Sequence, residues 1–177
     1  MTSDEVEEFT LFVEARRASL LRTAYLLTSG DAHAAEDLLQ AALLKALRSW
    51  GRIRDRDSVE RYVRRIMVNE RRAWFRRKAS GEVVSDLSAP THRQDADPAG
   101  AQALQRVDDG HLLGPALASL TRRQRAVVVL RYADDLPEEE VAWIMGCSVG
   151  TVKSQTSKAL AKLRLALATT PSREHTR

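Results

Sequence analysis

Ala142, Gly146 and Val152 stand at the spacing of a helix-turn-helix, in which a small residue lets two helices cross, a glycine makes the tight turn and an apolar residue anchors the second helix. Ser148 is placed to cap that second helix. Its inner positions are Val149, Val152, Ala159, Leu160 and Leu163, and its outer positions are Thr151, Lys153, Ser154, Gln155, Ser157, Lys158 and Lys162. Short polar side chains near the start of such a helix reach base edges in a DNA groove, and lysines neutralise phosphates. Gln155 carries the donor and acceptor that match adenine. DNA recognition is favoured over a purely structural helical hairpin.

A second cluster suits the same kind of partner. Residues 61–78 hold eight bases and one acid. Helical spacing puts Arg61, Arg65, Arg72 and Arg76 on one side, with Arg64, Arg71 and Lys78 flanking them. Tyr62, Trp74 and Phe75 are interleaved and could stack on unpaired bases, although Tyr62 and Trp74 fit the core stripe better. Catalytic chemistry finds no such cluster. His33, His92, His111 and His175 are dispersed, no glycine-rich phosphate loop is present, and Cys147 is a lone cysteine suited to packing in the turn. No metal site, cofactor, small-molecule substrate or enzymatic activity is expected.

The net charge of +4 hides a strong segregation along the 177 residues. Residues 1–40 carry eight acids against three bases, and residues 81–110 six acids against two bases. Residues 111–177 carry ten bases against six acids. Two basic segments separated by acidic ones suggest two polyanion contacts held apart by a connector. A single cysteine excludes a disulfide framework, and no apolar run is long enough to span a bilayer, so the expectation is a cytoplasmic protein without membrane insertion.

Apolar residues recur every three or four positions, which predicts an all-α fold; Val127, Val128 and Val129 form the only strand-like run, inside a longer helical pattern. A first helix is predicted over about residues 5–28, ended by Ser29 and Gly30, and a second is capped by Asp31 and ended by Gly51. A polar loop then leads to a third helix over about 58–79, with Val59, Tyr62, Val63, Ile66, Met67 and Trp74 inward. Periodicity fails from residue 80 to 107, where Gly81, Pro90, Pro98 and Gly100 mark a flexible linker. The predicted organisation is therefore two small helical domains, 1–79 and 108–170, joined by that acidic linker. In the second, Thr121 and Gln124 fit a capping box, and Pro137 suits the first position of a helix whose Glu138, Glu139 and Glu140 favour its positive end.

The order of these elements, with Ala34-Ala35-Glu36-Asp37-Leu38-Leu39-Gln40, Tyr62-Val63-Arg64-Arg65-Ile66-Met67-Val68-Asn69 and Val149-Gly150-Thr151-Val152-Lys153-Ser154, resembles bacterial sigma factors of the extracytoplasmic-function group. The resemblance implies a transcription initiation factor with a sigma domain 2 and a sigma domain 4. It implies that Glu36, Asp37, Leu39 and Gln40 dock on the β′ clamp helices of core RNA polymerase, with Leu38 and Leu39 split between contact and core. The β flap is a further implied polymerase contact.

The resemblance further implies that the loop with Arg54, Asp55, Arg56 and Ser58 captures a flipped base of the minus-ten element, and that Arg61, Arg65, Asn69, Arg72 and Arg76 contact that promoter DNA. Ser148, Thr151, Lys153, Ser154, Gln155 and Lys158 would read the minus-thirty-five element; family members often carry arginine where Gln155 stands. An anti-sigma factor is a further partner the family makes plausible. Two competitors remain. A helix-turn-helix regulator acting on duplex DNA without polymerase leaves the acidic motif and the basic third helix unexplained, and a site-specific recombinase needs a nucleophile in a sheet-bearing domain.

Overall fold

The computed structural model describes residues 2–53, 55, 58–79 and 113–168, with residues 71–79 as backbone. Seven α-helices appear among them, and no strand: α1 (Ser3–Leu27), α2 (Ala32–Arg48), α3 (Val59–Ala79), α4 (Leu113–Ala118), α5 (Arg122–Val128), α6 (Glu138–Met145) and α7 (Val149–Ala168). The predicted linker over 80–107 lies outside the described residues. No helix among the described residues is long and apolar enough to cross a membrane.

Local chemistry sets most of the boundaries. Thr2 and Glu5 form a capping box at the start of α1, two residues ahead of the expected start, because the reciprocal bonds satisfy backbone donors that the helix cannot. Ser29 (φ 62) and Gly30 (φ 88) both take left-handed backbone at the exit, and Asp31 caps α2 through Ala34 N at 3.0 Å. That helix ends at Arg48, earlier than Gly51, and one 3₁₀ turn over Trp50–Arg52 follows. The short turn tucks Trp50 under α1, where its ring meets Phe9 edge-on at 5.0 Å and Phe12 at 5.7 Å. Leu20, Ala24 and Leu27 of α1, Ala35, Leu39, Ala42 and Ala46 of α2, and Val59, Val63 and Met67 of α3 complete this core.

The C-terminal helices follow the same logic. Thr121 and Gln124 make the expected capping box. Val127, Val128 and Val129 are all buried in helical backbone, and α5 widens into a π turn over Val129–Ala133. Pro137 does not occupy the first helical position: its extended backbone (ψ 157) makes it the N-cap of α6, and Glu138 opens the helix. Ala142 is buried, Gly146 turns with φ 60 and Val152 is fully buried, so all three helix-turn-helix positions behave as expected.

The two helical units share one continuous hydrophobic cluster. Two charged groups at their junction specify its geometry. Arg125, on α5, is buried and donates from Nε to Leu117 O at 2.8 Å, from Nη1 to Leu27 O at 3.2 Å and from Nη2 to Leu120 O at 3.2 Å. It thereby satisfies carbonyls at the C-terminal ends of α1 and α4, where a cation is favoured. Burial lowers its pKa, with nearby Arg122 adding to the effect.

Asp134, just after the π turn, has a fully enclosed side chain that pairs with Arg64 Nε at 2.9 Å. The Thr23 hydroxyl lies 2.8 and 2.9 Å from its two oxygens. Arg64 also binds Glu60 at 2.8 Å, and Arg22 donates to Ala133 O at 3.2 Å. The sequence pattern puts Arg64 on the solvated flank of α3, but it is 7 % exposed because the second unit covers it. Gly114 sits so close to the α1–α2 turn that a Cβ there would stand 3.2 Å from Ser29 O.

Replacing Arg125 by Ala orphans several buried carbonyls and is expected to cost roughly 3 kcal/mol, lowering Tm by about 6–12 °C. Arg122→Ala, at an exposed position, is expected to shift stability by less than about 0.5 kcal/mol; thermal melts of the two variants followed by circular dichroism check this. A Cβ on Gly146 meets nothing within 4 Å, so Gly146→Ala tests the left-handed backbone alone. A loss of about 1 kcal/mol is expected in urea denaturation.

Candidate nucleic-acid interface

Helix α7 is held from beneath by Val152 and Ala159, both fully buried, with Val149, Leu160 and Leu163 half-buried beside them. That leaves Lys153, Ser154, Ser157, Lys158 and Lys162 exposed on the other side and Thr151 and Gln155 half-buried at its edge. The structure therefore brings together the whole predicted outer face. Ser148 caps the helix as its position predicts, its Oγ accepting from Thr151 N at 3.2 Å and lying 2.9 Å from the Thr151 hydroxyl. Each of these hydroxyls already has a partner, so their spare capacity for a base or phosphate is reduced. Lys153 Nζ is 3.6 Å from Glu138 at the start of α6. An exposed pair of this kind is weak, and a phosphate can replace it.

On α3 the predicted residues divide. Asn69 is exposed. Arg61 and Arg65 are half-buried because Trp143 of α6 lies against them, with the two guanidinium carbons 4.7 and 4.5 Å from its ring centroid. The side chains of Arg72, Arg76 and Trp74 lie outside the described residues, as do Arg54 and Arg56. Tyr62 is half-buried, and Asp55 is exposed with its carbonyl accepting from Ser58 N at 3.3 Å and from Ser58 Oγ at 2.9 Å. Ser58 thus spends its hydroxyl on the turn that opens α3.

Helix α2 presents Glu36, Asp37 and Gln40 to solvent. Leu39 corrects the expectation that placed it on this surface: it is 1 % exposed, since the inward stripe runs through Ala35, Leu39, Ala42 and Ala46. Leu38, one position earlier, is half-buried at the border. Sequence reasoning missed Leu44, which is 50 % exposed one turn beyond Gln40 and extends the same face with an apolar side chain. Its position four residues after Gln40 was the available signal. Trp143, 40 % exposed, was missed as well, and Lys45 is ion-paired with Glu70 on the neighbouring helix.

Among the described residues no three His, Cys, Asp or Glu side chains gather to hold a metal ion. Cys147 is a free, half-buried thiol packed in the helix-turn-helix turn. The surfaces are of two kinds: one acidic with an apolar edge, on α2, and two polar and basic, on α3 and α7.

Residues 12–81 match the family model for sigma-70 region 2, and residues 112–163 match that for sigma-70 region 4. The RNA polymerase sigma-E factor of Streptomyces coelicolor is 39 % identical over 90 % of this chain and 86 % of its own. The ECF RNA polymerase sigma factor SigL of Mycobacterium tuberculosis is 34 % identical over 85 % of this chain and 83 % of its own. Among solved structures, the sigma factor RpoE of Bartonella quintana, in complex with the anti-sigma factor NepR, superposes with a TM-score of 0.69 at 23 % identity, covering 93 % of this chain and 99 % of that one. The chain belongs to the sigma-70 family of RNA polymerase sigma factors, the factors of transcription initiation, within its extracytoplasmic-function group.

Proposed function

We propose that this sigma factor binds core RNA polymerase through the exposed face of α2, reads a minus-thirty-five element with α7 and engages the minus-ten element with α3 and the loop before it, promoting strand opening. The observation that carries this reading is the outer face of α7, where Lys153, Ser154 and Lys158 stand exposed over a buried Val152 and Ala159. Such a helix presents donors to a groove while its own fold is unaffected by their use.

The domain bounds follow the surfaces, with 1–79 serving polymerase and the minus-ten element, 80–107 connecting, and 108–170 serving the minus-thirty-five element. Glu36, Asp37 and Gln40 supply the charge and hydrogen bonds of the polymerase contact, and Leu44 supplies apolar area. A carboxylate face repels phosphate, so a basic protein surface is its natural partner. On α3, Arg61, Arg65, Arg72 and Arg76 neutralise phosphate and Asn69 has the groups to contact a base edge. The chain recruits and reads, and the bond-making chemistry is left to the polymerase.

Run-off transcription with core polymerase tests the reading as a whole, and a promoter-dependent transcript is the expected result. Absence of any such transcript alongside intact duplex binding would favour an ordinary helix-turn-helix regulator. Asp37→Lys is expected to weaken core binding at least about tenfold in an anisotropy titration, as charge reversal at a complementary interface does, with helicity unchanged. Lys158→Ala is expected to leave core binding unchanged and to lower promoter affinity; the slope of log affinity against log salt falls by about 1 when a single phosphate contact is lost.

A further inference from the structure

Of the three lysines on the outer side of α7, one is already answered from within the protein. Lys153 Nζ lies 3.6 Å from a carboxylate oxygen of Glu138, the first residue of α6. Lys158 and Lys162, exposed on the same helix, meet no carboxylate among the described residues. Both ends of the pair stand on fixed backbone. Val152, next to Lys153, and Val141, one turn after Glu138, are fully buried. Pro137 O accepts from Glu140 N at 3.1 Å and from Val141 N at 3.0 Å, which sets the start of α6. The contact therefore follows from how the two helices cross.

We propose that Glu138 is a brake on DNA affinity: it holds Lys153 in an electroneutral pair, so that α7 neutralises one phosphate fewer than its lysines would permit. Glu138 is thus a positioning residue that acts through Lys153. The proposal rests on the reading of α7 as the helix that meets duplex DNA.

A lysine adds to DNA affinity by neutralising a phosphate and releasing the cation condensed on it. A lysine tied to a carboxylate brings no net charge to that exchange. A phosphate that takes Lys153 leaves the Glu138 charge behind, on the helix that in a helix-turn-helix crosses the DNA backbone. Glu139 and Glu140 share that first turn, so the abandoned carboxylate faces the backbone in acidic company. The gain from the new contact is largely cancelled. The pair itself is exposed, Lys153 at 66 % and Glu138 at 30 %, and exposed pairs shift an equilibrium only a few-fold. That magnitude suits tuning of affinity and not a block.

The brake has a consequence for reading. Phosphate contacts carry sequence-independent binding, and base edges carry discrimination. With one lysine withheld from the backbone, a larger share of the affinity falls to Ser154 and Gln155, and a duplex is held by what its bases offer.

The test uses the full chain and a fluorescein-labelled, mixed-sequence duplex, titrated by anisotropy over a series of salt concentrations. Glu138→Gln keeps the shape of the side chain and removes its charge. It is expected to bind about three- to fivefold more tightly at low salt, with the slope of log affinity against log salt steeper by about 1. Lys153→Ala in the parent chain is expected to leave that slope nearly unchanged, whereas in the Glu138→Gln chain it removes both the gain and the added slope. Circular dichroism checks that each variant is folded; a merely structural Glu138 would move the melting temperature and not the slope. Equal binding by Glu138→Gln and the parent overturns the brake. A gain that survives Lys153→Ala comes from the loss of an acid near DNA, not from the release of Lys153, and overturns it too. Lys158→Ala separates either failure from failure of the underlying reading. A lower slope for Lys158→Ala without the Glu138 effect leaves α7 on DNA and removes only the brake. A slope indifferent to Lys153 and Lys158 in every background takes α7 off the DNA, and the proposal falls with it.

Discussion

A carboxylate with no access to water is the interaction on which the arrangement of the two units depends. Asp134 can be buried only where something answers its charge, and it is answered by Arg64 and Thr23 from the other unit. Burial raises its pKa, more strongly than Arg64, the Thr23 hydroxyl and Arg22 lower it. The balance says that desolvation is the larger force at this point. A network of this kind discriminates sharply among ways of packing the units, since a small slide would leave the carboxylate unpaired, yet it adds little to the stability of the one it selects. Arg125 acts differently. Its guanidinium closes carbonyls that two helix ends would otherwise leave open, so its removal harms each unit as well as their junction.

The presentation of α7 depends on a more ordinary constraint, the need to bury one side of a helix. Val152 and Ala159 are held fully inside, and Gly146 supplies the one left-handed turn that brings α7 across α6 at all. Of the outer residues, Ser148 and Thr151 are bonded to one another at the helix start and Lys153 makes a weak exposed pair with Glu138. The proposed reading therefore assigns sequence preference to Ser154, Gln155 and Lys158 ahead of the capping pair.

Much of this was legible from the chain alone because it is local. A capping box is four consecutive residues, and Thr121 with Gln124 announced it; the helix-turn-helix is a spacing of Ala142, Gly146 and Val152, and each behaved as its residue type requires. The polar face of α7 followed from helical periodicity, and the acidic face of α2 from the family resemblance. What was missed is non-local. Asp134 lies 70 residues from Arg64 and 111 from Thr23 along the chain, and no pattern within a helix could have paired them. Arg64 looked like one more arginine on a solvated flank. Leu39 and Leu38 were ambiguous for a geometric reason: adjacent residues are about 100° apart on a helix, so a stripe boundary between them is decided by what packs above it. Pro137 failed by one position, because proline suits the residue before a helix nearly as well as the first residue in it.

The distribution of charge takes on a sharper meaning once the fold is known. A chain that must meet both a nucleic acid and a protein has to keep each surface from satisfying the other. Here Lys45 pairs with Glu70, Lys153 with Glu138, and Arg16 and Arg64 share Glu60, so acids and bases already meet across helices. Glu36 and Asp37 stand exposed in the second turn of α2, whose first turn carries no acid, so the helix dipole lends them little. The arginines crowded on α3 repel each other and gain from any partner that tolerates them. An aromatic face is such a partner. It eases the repulsion at Arg61 and Arg65 without consuming their hydrogen bonds.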